Sequence, residues 1–293
     1  MTAMTMNSTA ALRSSRQLPA WLVRAAWLVL LAMLAIPFVL PFIWMVSSSF
    51  KSPAAIFAYP PELFPSQPRW QNYIEIFQYQ PFARQYFNSL YIAVTTTALT
   101  LLVASLAGYA FARMRFFGDT WIFALLLAAM MMPDEVTLIP NFFLLSSWGA
   151  TNTHLPVILL PLFGSQGVMA TFLMRQTFLG LPKEMEEAAR LDGLKSFGIF
   201  WQVALPLAKP ALAAVAILTF LNSWSLFLEP LIFITDLELF TLPLALTNFQ
   251  DGGLPVWHLQ LAGTTLSVLP VLIIYISAQQ QIQESFMMSG VKG

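Results

Sequence analysis

Long runs of uncharged, apolar residues are the strongest constraint on the fold of this chain. Residues Ala25 to Val46 contain no charged side chain, and the run exceeds the roughly 20 residues that an α-helix needs to cross a bilayer. A cleaved secretory signal is the alternative, because three serines follow at 47–49. The run is too long for one, since the apolar core of a signal peptide has about 7–15 residues. The sequence therefore predicts a first membrane helix, kinked at Pro37 and Pro41.

Five further apolar segments complete a prediction of an all-α integral membrane protein with six transmembrane helices. Pro133, Asp134 and Glu135 interrupt the third helix, so the apolar segment after them is predicted to be a broken or re-entrant continuation. The remaining predicted helices and this continuation are Asn88–Ala112, Trp121–Met132 with Val136–Trp148, Leu155–Phe178, Ala211–Phe227 and Ala262–Ser277.

The segments between and around these helices are polar. The chain divides into an N-terminal tail (1–24), a six-helix domain (25–278) and a polar C-terminal tail (279–293). Within the domain, an amphipathic patch is predicted at 70–77, and an acidic, proline-containing connector at 228–261.

Composition independently supports a membrane protein and excludes several kinds of site. Hydrophobic residues make up 58% of the chain and charged residues 10%, which is too apolar for a soluble domain of this size. The net charge is zero, so nucleic acid is not an expected partner. Cysteine is absent, which excludes disulfides and thiolate chemistry. His154 and His258 are isolated in predicted loops, so no metal site is expected.

The distribution of basic residues predicts the orientation, because Lys and Arg are retained on the cytoplasmic side during insertion. With both termini inside, eleven of the fourteen basic residues are cytoplasmic, and Lys51, Arg69 and Arg84 are outside. The eleven are Arg13, Arg16, Arg24, Arg113, Arg115, Arg175, Lys183, Arg190, Lys195, Lys209 and Lys292.

The most charged interval, Leu181 to Pro210, is predicted to be cytoplasmic; we call it the charged segment. Its pattern predicts a helix starting at Pro182, with Glu186 and Arg190 as an i,i+4 pair, and a stop at Asp192-Gly193. A second helix is predicted from Ser196 to the Leu205-Pro206 pair, with one face made of Phe197, Phe200, Trp201 and Ala204. On pattern alone, the segment also fits an amphipathic connector on the membrane surface.

Residue identities in the charged segment favour a more specific interpretation. The segment resembles the cytoplasmic loop signature of permease subunits in binding-protein-dependent ABC importers. In that signature, Glu-Ala-Ala is followed after three residues by Gly, and nine residues later by an aliphatic residue, one further residue and Leu-Pro. The matching residues here are Glu187, Ala188, Ala189, Gly193, Val203, Leu205 and Pro206.

Matches outside the charged segment resemble the carbohydrate-uptake, maltose-permease-like branch of this family. They include 49–51 after the first helix, 88–90 and 108–113 at the start and end of the second, 136–140, 172–176, and the terminal 290–293. Around the fifth helix, Phe220, Leu221, Trp224, Phe227 and Pro230 also match, as does Gly263 in the sixth.

The resemblance implies one of two permease subunits of an ATP-driven sugar importer in the bacterial cytoplasmic membrane. The implied partners are a second permease, an ABC ATPase dimer that uses ATP and Mg, and an extracytoplasmic solute-binding protein. Glu187, Ala188, Ala189, Arg190 and Asp192 would seat the first short helix on the ATPase, and Gly193 would set its angle. No cofactor is expected on this chain, and it is not expected to be an enzyme.

Polar residues inside the predicted helices are candidates for a solute pathway. Hydroxyl, amide and aromatic groups together suit a neutral polyhydroxy solute, but Ser and Thr also commonly serve helix packing. The candidates are Asn88 and Tyr109 in the second helix, Asn222, Ser223 and Trp224 in the fifth, and Thr264 in the sixth.

Two other function classes are open at this stage: an ion-coupled secondary transporter and a stand-alone membrane enzyme. Nucleotide-binding and hydrolase motifs such as GxxxxGK[ST], HExxH and GxSxG are absent from the sequence. No predicted helix carries a charge in its middle third, which argues against an ion-coupled carrier. The adjacent carboxylates Asp134 and Glu135 are the candidates for an acid/base pair or a proton relay. Consecutive residues on a helix point apart, however, which argues against such a role.

Overall fold

The structure is a computed structural model that describes residues 20–290; the first nineteen residues of the predicted N-terminal tail and residues 291–293 lie outside it. The first half forms α1 (Ala20–Ser49), α2 (Pro53–Ile56), α3 (Asn72–Tyr79), α4 (Phe82–Arg113), α5 (Asp119–Met130) and α6 (Asp134–Ser147). Then come α7 (Leu155–Phe163), α8 (Ser165–Gly180), α9 (Lys183–Leu191), α10 (Ser196–Ile199), a π-helical turn (Phe200–Ala204), α11 (Leu205–Leu207) and α12 (Lys209–Trp224). The last elements are α13 (Leu228–Phe233), a 3₁₀ turn (Leu237–Leu239), α14 (Leu242–Thr247), the antiparallel pair β1 (Gln250–Asp251) and β2 (Leu254–Pro255), and α15 (Trp257–Gly290).

Six segments are apolar enough to cross a membrane if each bent helix pair counts as one span. Three are unbroken, at Trp27–Ser49, Phe82–Arg113 and Trp257–Gln279. The other three are α5 with α6, bent by 101°, α7 with α8, bent by 43°, and α10–α11 with α12, bent by 77°. This agrees with the predicted six-helix architecture and with the predicted break after Met132. Helix α1 runs through both Pro37 and Pro41 as one element.

The predicted fourth helix, expected to be continuous, is broken at Gly164. Pro161 lies inside α7, and the chain turns into α8 immediately after Gly164. A Cβ at Gly164 would lie 2.6 Å from the Leu160 carbonyl oxygen, and one at Gly167 only 1.7 Å from that of Leu162. The two glycines therefore permit a backbone approach that any side chain would block.

The end of the second short helix also differs from its prediction. The helix does not stop at Leu205-Pro206: it passes through the π-helical turn and continues to Leu207. The Leu205 amide bonds back to the Phe200 carbonyl in the wider π-helical pattern. Pro206 is thus in the first turn after this widening, where a missing N–H is tolerated.

The last third of the chain is more ordered than predicted. The connector, which we define from the structure as residues 228–256, contains two helices, a 3₁₀ turn and the β-hairpin. Helix α15 starts at Trp257, earlier than the predicted Ala262, and it continues through the predicted polar tail to Gly290.

Helix α4 is common to the two largest buried clusters. Near its N-terminal end it packs against α12, α14 and α15 through Phe82, Trp224, Leu242 and other apolar residues. Near its C-terminal end it packs against α8, the π-helical turn and α12; this cluster contains Ala104, Tyr109, Ala170, Met174, Phe178, Phe200, Ala204, Ala208 and Val215. Burial of these side chains positions the charged segment at the C-terminal end of α4.

The crossing of α4 and α8 requires glycine at position 108. A Cβ there would lie 2.8 Å from the Met174 Cβ and 2.9 Å from the Arg175 backbone nitrogen. We expect Gly108→Ala to destabilise the protein by about 1–3 kcal/mol through overpacking, measured as a lower melting temperature of the purified protein. Gly180→Ala is the matched control, since nothing lies within 4 Å of its Cβ position. Equal melting temperatures for the two variants would contradict close packing at Gly108.

Candidate functional site: the charged segment and the adjoining grooves

The first helix of the charged segment has the predicted turn at its end. Helix α9 begins after Pro182, which lies one position before the helix and not at its first position as predicted. It ends at Asp192, and Gly193 follows with φ +88°. Nothing lies within 4 Å of a Cβ at Gly193, so glycine is needed there for its backbone conformation and not for space.

Helix α9 has a buried face and an exposed face. Glu186 and Ala189 are buried, whereas Glu187, Ala188 and the other motif residues Arg190, Asp192 and Gly193 are exposed. Leu191, at the end of the helix, is 90% exposed.

A buried ion pair holds the inner face of α9 against α4. The Arg113 Nε lies 2.8 Å from the Glu186 Oε1, and the two side chains are 7% and 8% exposed. Arg113 also donates from Nη2 to the Leu181 carbonyl oxygen at 2.6 Å. The predicted Glu186–Arg190 pair is therefore wrong: Glu186 bonds across to α4, and Arg190 is exposed.

The role of Glu186 is not apparent from the motif, which begins at Glu187, and in the sequence Arg113 is only the basic end of a predicted helix. The sequence signal for this role is the helical spacing in α9: Glu186 and Ala189 are three residues apart and therefore share a face. A carboxylate on that face needs a cationic partner if the face is buried.

In the second helix of the charged segment, the four residues predicted to share one face are divided between a buried and an exposed face. Phe200 and Ala204 are buried, but Phe197 is 70% and Trp201 56% exposed. The Phe200 ring lies 5.2 Å from that of Tyr109 and 6.3 Å from that of Phe178. The predicted single face is thus two faces, because the π-helical turn changes the angular spacing of the side chains. Of the other motif residues, Val203 and Leu205 are half-buried and Pro206 is exposed.

Three of the pathway candidates are buried in contacts within the chain. Asn88 donates from Nδ2 to the carbonyl oxygens of Glu238 and Phe240, at 2.9 and 3.1 Å. Trp224 donates from Nε1 to the Ser267 carbonyl oxygen at 3.1 Å. Tyr109 is 5% exposed and lies in the aromatic cluster under the charged segment.

The other three candidates differ in their surroundings. The Ser223 Oγ is buried with no hydrogen-bond partner among the described residues, and the Thr264 hydroxyl donates to the Gln260 carbonyl oxygen of its own helix. Asn222 is exposed and lines an open groove of about 470 Å³ between α8 and α12. We call it the α8–α12 groove; its lining includes Gln166, Met169, Leu173, Leu218, Thr219 and Asn222.

A second, more polar cavity of about 260 Å³ adjoins the groove at the breaks in the bent helices. Asp134, Asn141 and Glu229 line it, together with Ser165 and Gln166, which also line the α8–α12 groove. Asp134 accepts a hydrogen bond from the Ser165 hydroxyl at 2.5 Å, so it occupies the N-terminal end of α8. Burial, together with the nearby Asp134 and Glu135 carboxylates, raises the pKa of Glu229.

The two histidines make contacts within the protein. His154 lies between α4 and the connector: its Nδ1 contacts the Tyr91 hydroxyl, and its Nε2 lies 2.6 Å from the Leu239 carbonyl oxygen. The His258 Nε2 lies 3.8 Å from Glu75. Within residues 20–290, no cluster of three or more His, Asp or Glu side chains is arranged to hold a metal ion.

The family model and the curated relatives that match this chain are all membrane components of transport systems. Residues 100–287 match the family described as binding-protein-dependent transport system inner membrane component. The arabinooligosaccharides transport system permease protein of Halalkalibacterium halodurans is 37% identical over 230 residues, 78% of this chain and 81% of that protein. The lactose transport system permease protein of Rhizobium radiobacter is 32% identical over 258 residues, covering 87% and 91%.

The fold is also found in solved transporter structures. A bacterial ABC transporter involved in the import of the acidic polysaccharide alginate matches with a TM-score of 0.78 at 23% identity. The match covers 93% of this chain and 99% of that one. At this identity, the likeness shows the shared fold.

The contacts of Asn88 predict a structural effect of its removal. Asn88→Ala removes two hydrogen bonds, worth about 0.5–1.5 kcal/mol each, and leaves two connector carbonyls without these donors. We expect faster amide hydrogen exchange in residues 234–242 of the variant, measured by mass spectrometry. Thr95→Ala, about two turns further along α4, is the control and should leave this exchange unchanged. Exchange like that of the parent in Asn88→Ala would show that the contact does not hold the connector.

The pKa of Glu229 predicts a pH-dependent stability. Because its pKa is raised in the folded protein, stability falls as the pH increases from the ordinary carboxyl pKa of about 4.3 through the higher folded value. Glu229→Gln removes this loss, so its melting temperature should match the parent below that ordinary pKa and exceed it at neutral pH. A constant difference between Glu229→Gln and the parent at all pH values would refute the assignment.

Proposed function

The chain belongs to the family of binding-protein-dependent transport system inner membrane components, the permease subunits of ABC importers, and from that premise we propose its solute, its partners and its mode of coupling. The observation that carries the proposal is the two-faced helix α9. Its inner face forms a buried ion pair with α4 through Glu186, and its outer face exposes Ala188, Glu187 and Leu191. A short helix held firmly on one side and open on the other is suited to receive force from a partner protein.

The proposed partner on this face is an ABC ATPase dimer. ATP and Mg are used by that partner, and this chain contributes no residue to hydrolysis. The excess of basic residues predicted on one side of the membrane supports a cytoplasmic location for the charged segment and for both chain termini. The charged segment is then on the side where ATP is present. In this arrangement, Glu187, Ala188 and Leu191 contact the ATPase, and the left-handed backbone at Gly193 orients α9 toward it.

The proposed solute is a sugar or a related neutral polyhydroxy compound. The relatives described above are named as permeases for arabinooligosaccharides and lactose. In this chain, the α8–α12 groove presents the amides of Gln166 and Asn222 and the hydroxyl of Thr219 beside Met169 and Leu218. Amides and hydroxyls bind sugar hydroxyl groups, and apolar side chains contact the C–H faces of the ring. Of the six pathway candidates, Asn222 is thus the one whose surroundings best support this role.

The other proposed partners are a second permease and an extracytoplasmic solute-binding protein. The second permease would face the open α8–α12 groove, so that the solute passes between the two subunits. The binding protein would deliver solute at the end of the membrane domain that carries the connector. ATP binding then closes the ATPase dimer, α9 moves with it, and the membrane helices change from inward-open to outward-open.

Adjacent alanines in α9 allow a direct test. Ala188 is exposed and Ala189 is 6% exposed, and the chain has no native cysteine. We expect Ala188→Cys, labelled with a maleimide–benzophenone reagent, to form a photo-crosslink to the co-expressed ATPase, because the excited ketone inserts into C–H bonds of any neighbouring residue; Ala189→Cys should give at least five-fold less. The measurement is the yield of the crosslinked product on a denaturing gel.

The two cysteine variants share chemistry and differ in position by one residue, so differences in expression are controlled by their total amounts. Crosslinking of neither variant in a preparation that retains the ATPase would contradict the proposed docking. Equal yields from both positions would contradict the assignment of faces on α9.

A further inference from the structure

Helix α4 is anchored by polar contacts at both of its ends. At the C-terminal end, Arg113 pairs with Glu186 of α9. At the N-terminal end, side chains of α4 hold the connector: Gln85 bonds to the Leu237 carbonyl at 3.0 Å, and Ser89 accepts from the Leu242 amide at 2.6 Å. With about 1.5 Å of rise per residue, some 37 Å separate Asn88 from Arg113. One unbroken helix therefore connects the charged segment to the connector.

The Arg113–Glu186 pair is suited to transmit a displacement. Both side chains are buried, and separating them would leave two unpaired charges away from water, which is strongly unfavourable. Among the ion pairs in residues 20–290, it is the one that joins the charged segment to α4. Since Arg113 also bonds to the Leu181 carbonyl, it holds both the start of the charged segment and α9.

A cluster of aromatic rings also joins α4 to the charged segment. The rings of Tyr109, Phe178 and Phe200 join α4, α8 and the π-helical turn. Apolar contacts of this kind resist separation but are not directional, so they permit sliding. The buried ion pair and the hydrogen bond from Arg113 to the Leu181 carbonyl oppose sliding of α9 along α4, because sliding would separate two buried charges.

The N-terminal end of α4 has a matching ion pair. The Arg84 Nη1 lies 3.0 Å from the Glu238 Oε2, but these side chains are 59% and 49% exposed, so the contact is weak. The attachment of the connector therefore depends mainly on the buried hydrogen bonds of Gln85, Asn88 and Ser89. The two ends of α4 thus differ in chemistry, yet each fixes a segment outside the spans to the same helix.

We propose that Arg113 and Glu186 are positioning residues that make α4 a rigid link between α9 and the connector, so that movement of α9 by the ATPase also moves the connector. This inference rests on the proposed function, because it needs an ATPase on the outer face of α9. Through this link, the nucleotide state of the ATPase affects the conformation of the connector at the opposite end of the membrane domain.

The test uses the assembled complex with one reporter on the connector. Leu237→Cys is the labelling site, because its side chain is 36% exposed and the chain has no other cysteine. An environment-sensitive maleimide fluorophore there reports its surroundings before and after addition of Mg-ATP with vanadate. We expect a nucleotide-dependent change in emission in the parent and in Arg115→Gln. Arg115 is the matched control, two residues from Arg113 with a side chain 93% exposed.

Arg113→Gln and Glu186→Gln should reduce this emission change at least five-fold, while ATP binding and co-purification of the ATPase stay at parent levels. The double variant Arg113→Glu with Glu186→Arg restores opposite charges and should recover at least half of the change. A merely structural role would lower assembly and nucleotide binding together with the signal. A full emission change in Arg113→Gln would overturn the inference.

Asn88→Ala provides a second variant at the other end of α4 if Arg113→Gln does not assemble. It should lose the emission change with the ATPase still bound, and retention of the change would again overturn the inference. A parent complex with bound ATPase but no nucleotide-dependent change at Leu237 would also overturn it. Failure of any ATPase to co-purify with the parent would instead overturn the proposed function.

Discussion

The close packing of α4 against α8 is the contact on which the rest of the structure depends. Gly108 allows the backbone of α8 to approach α4 at Met174 and Arg175. Arg175 then donates to the Phe111 carbonyl of α4 at 3.3 Å, and its guanidinium lies 4.2 Å from the centre of the Phe123 ring of α5. Three spans are therefore fixed at one end of the domain, and the charged segment lies on this platform.

The same helices α5 and α8 are parts of spans that are broken at their other ends. A break within a membrane span exposes backbone groups that need partners, so such breaks occur where protein or a polar cavity supplies them. Here the Ser165 and Asp134 contact lies at the start of α8, beside the cavity that contains Asn141 and Glu229. Helices α5 and α8 thus contribute to both regions: one end of each joins α4 beneath the charged segment, and the other end lies at a break that lines the cavity.

The sequence was sufficient for the elements that depend on local chemistry. Uncharged runs identified the spans, and Asp192-Gly193 identified the end of α9, because a left-handed residue favours glycine whatever surrounds it. The sequence was not sufficient where a contact depends on residues that are distant in the chain. The partner of Glu186 is on a helix more than seventy residues earlier in the chain, and local spacing suggested Arg190 instead. The face formed by α10 and the π-helical turn was assigned wrongly, because a spacing of 3.6 residues per turn does not account for a π-helical turn.

The pathway candidates illustrate the same limit. Residue type made Asn88 and Asn222 equal candidates, but the fold gives Asn88 two carbonyl acceptors and leaves Asn222 open to a groove. The break at Gly164 was readable in principle, because Pro161, Gly164 and Gly167 lie within seven residues. Hydrophobicity alone does not indicate the break, since the whole stretch is apolar enough to form one continuous span.

The central claim is that the outer face of α9 is where an ATPase acts on this permease. Amide hydrogen exchange of residues 184–193 tests it most directly, compared between the purified complex and the same membrane subunits after the ATPase has been stripped. Because α9 is a short helix with one exposed face, its amides should exchange markedly more slowly when the ATPase is bound. Identical exchange with and without a bound ATPase would contradict the claim.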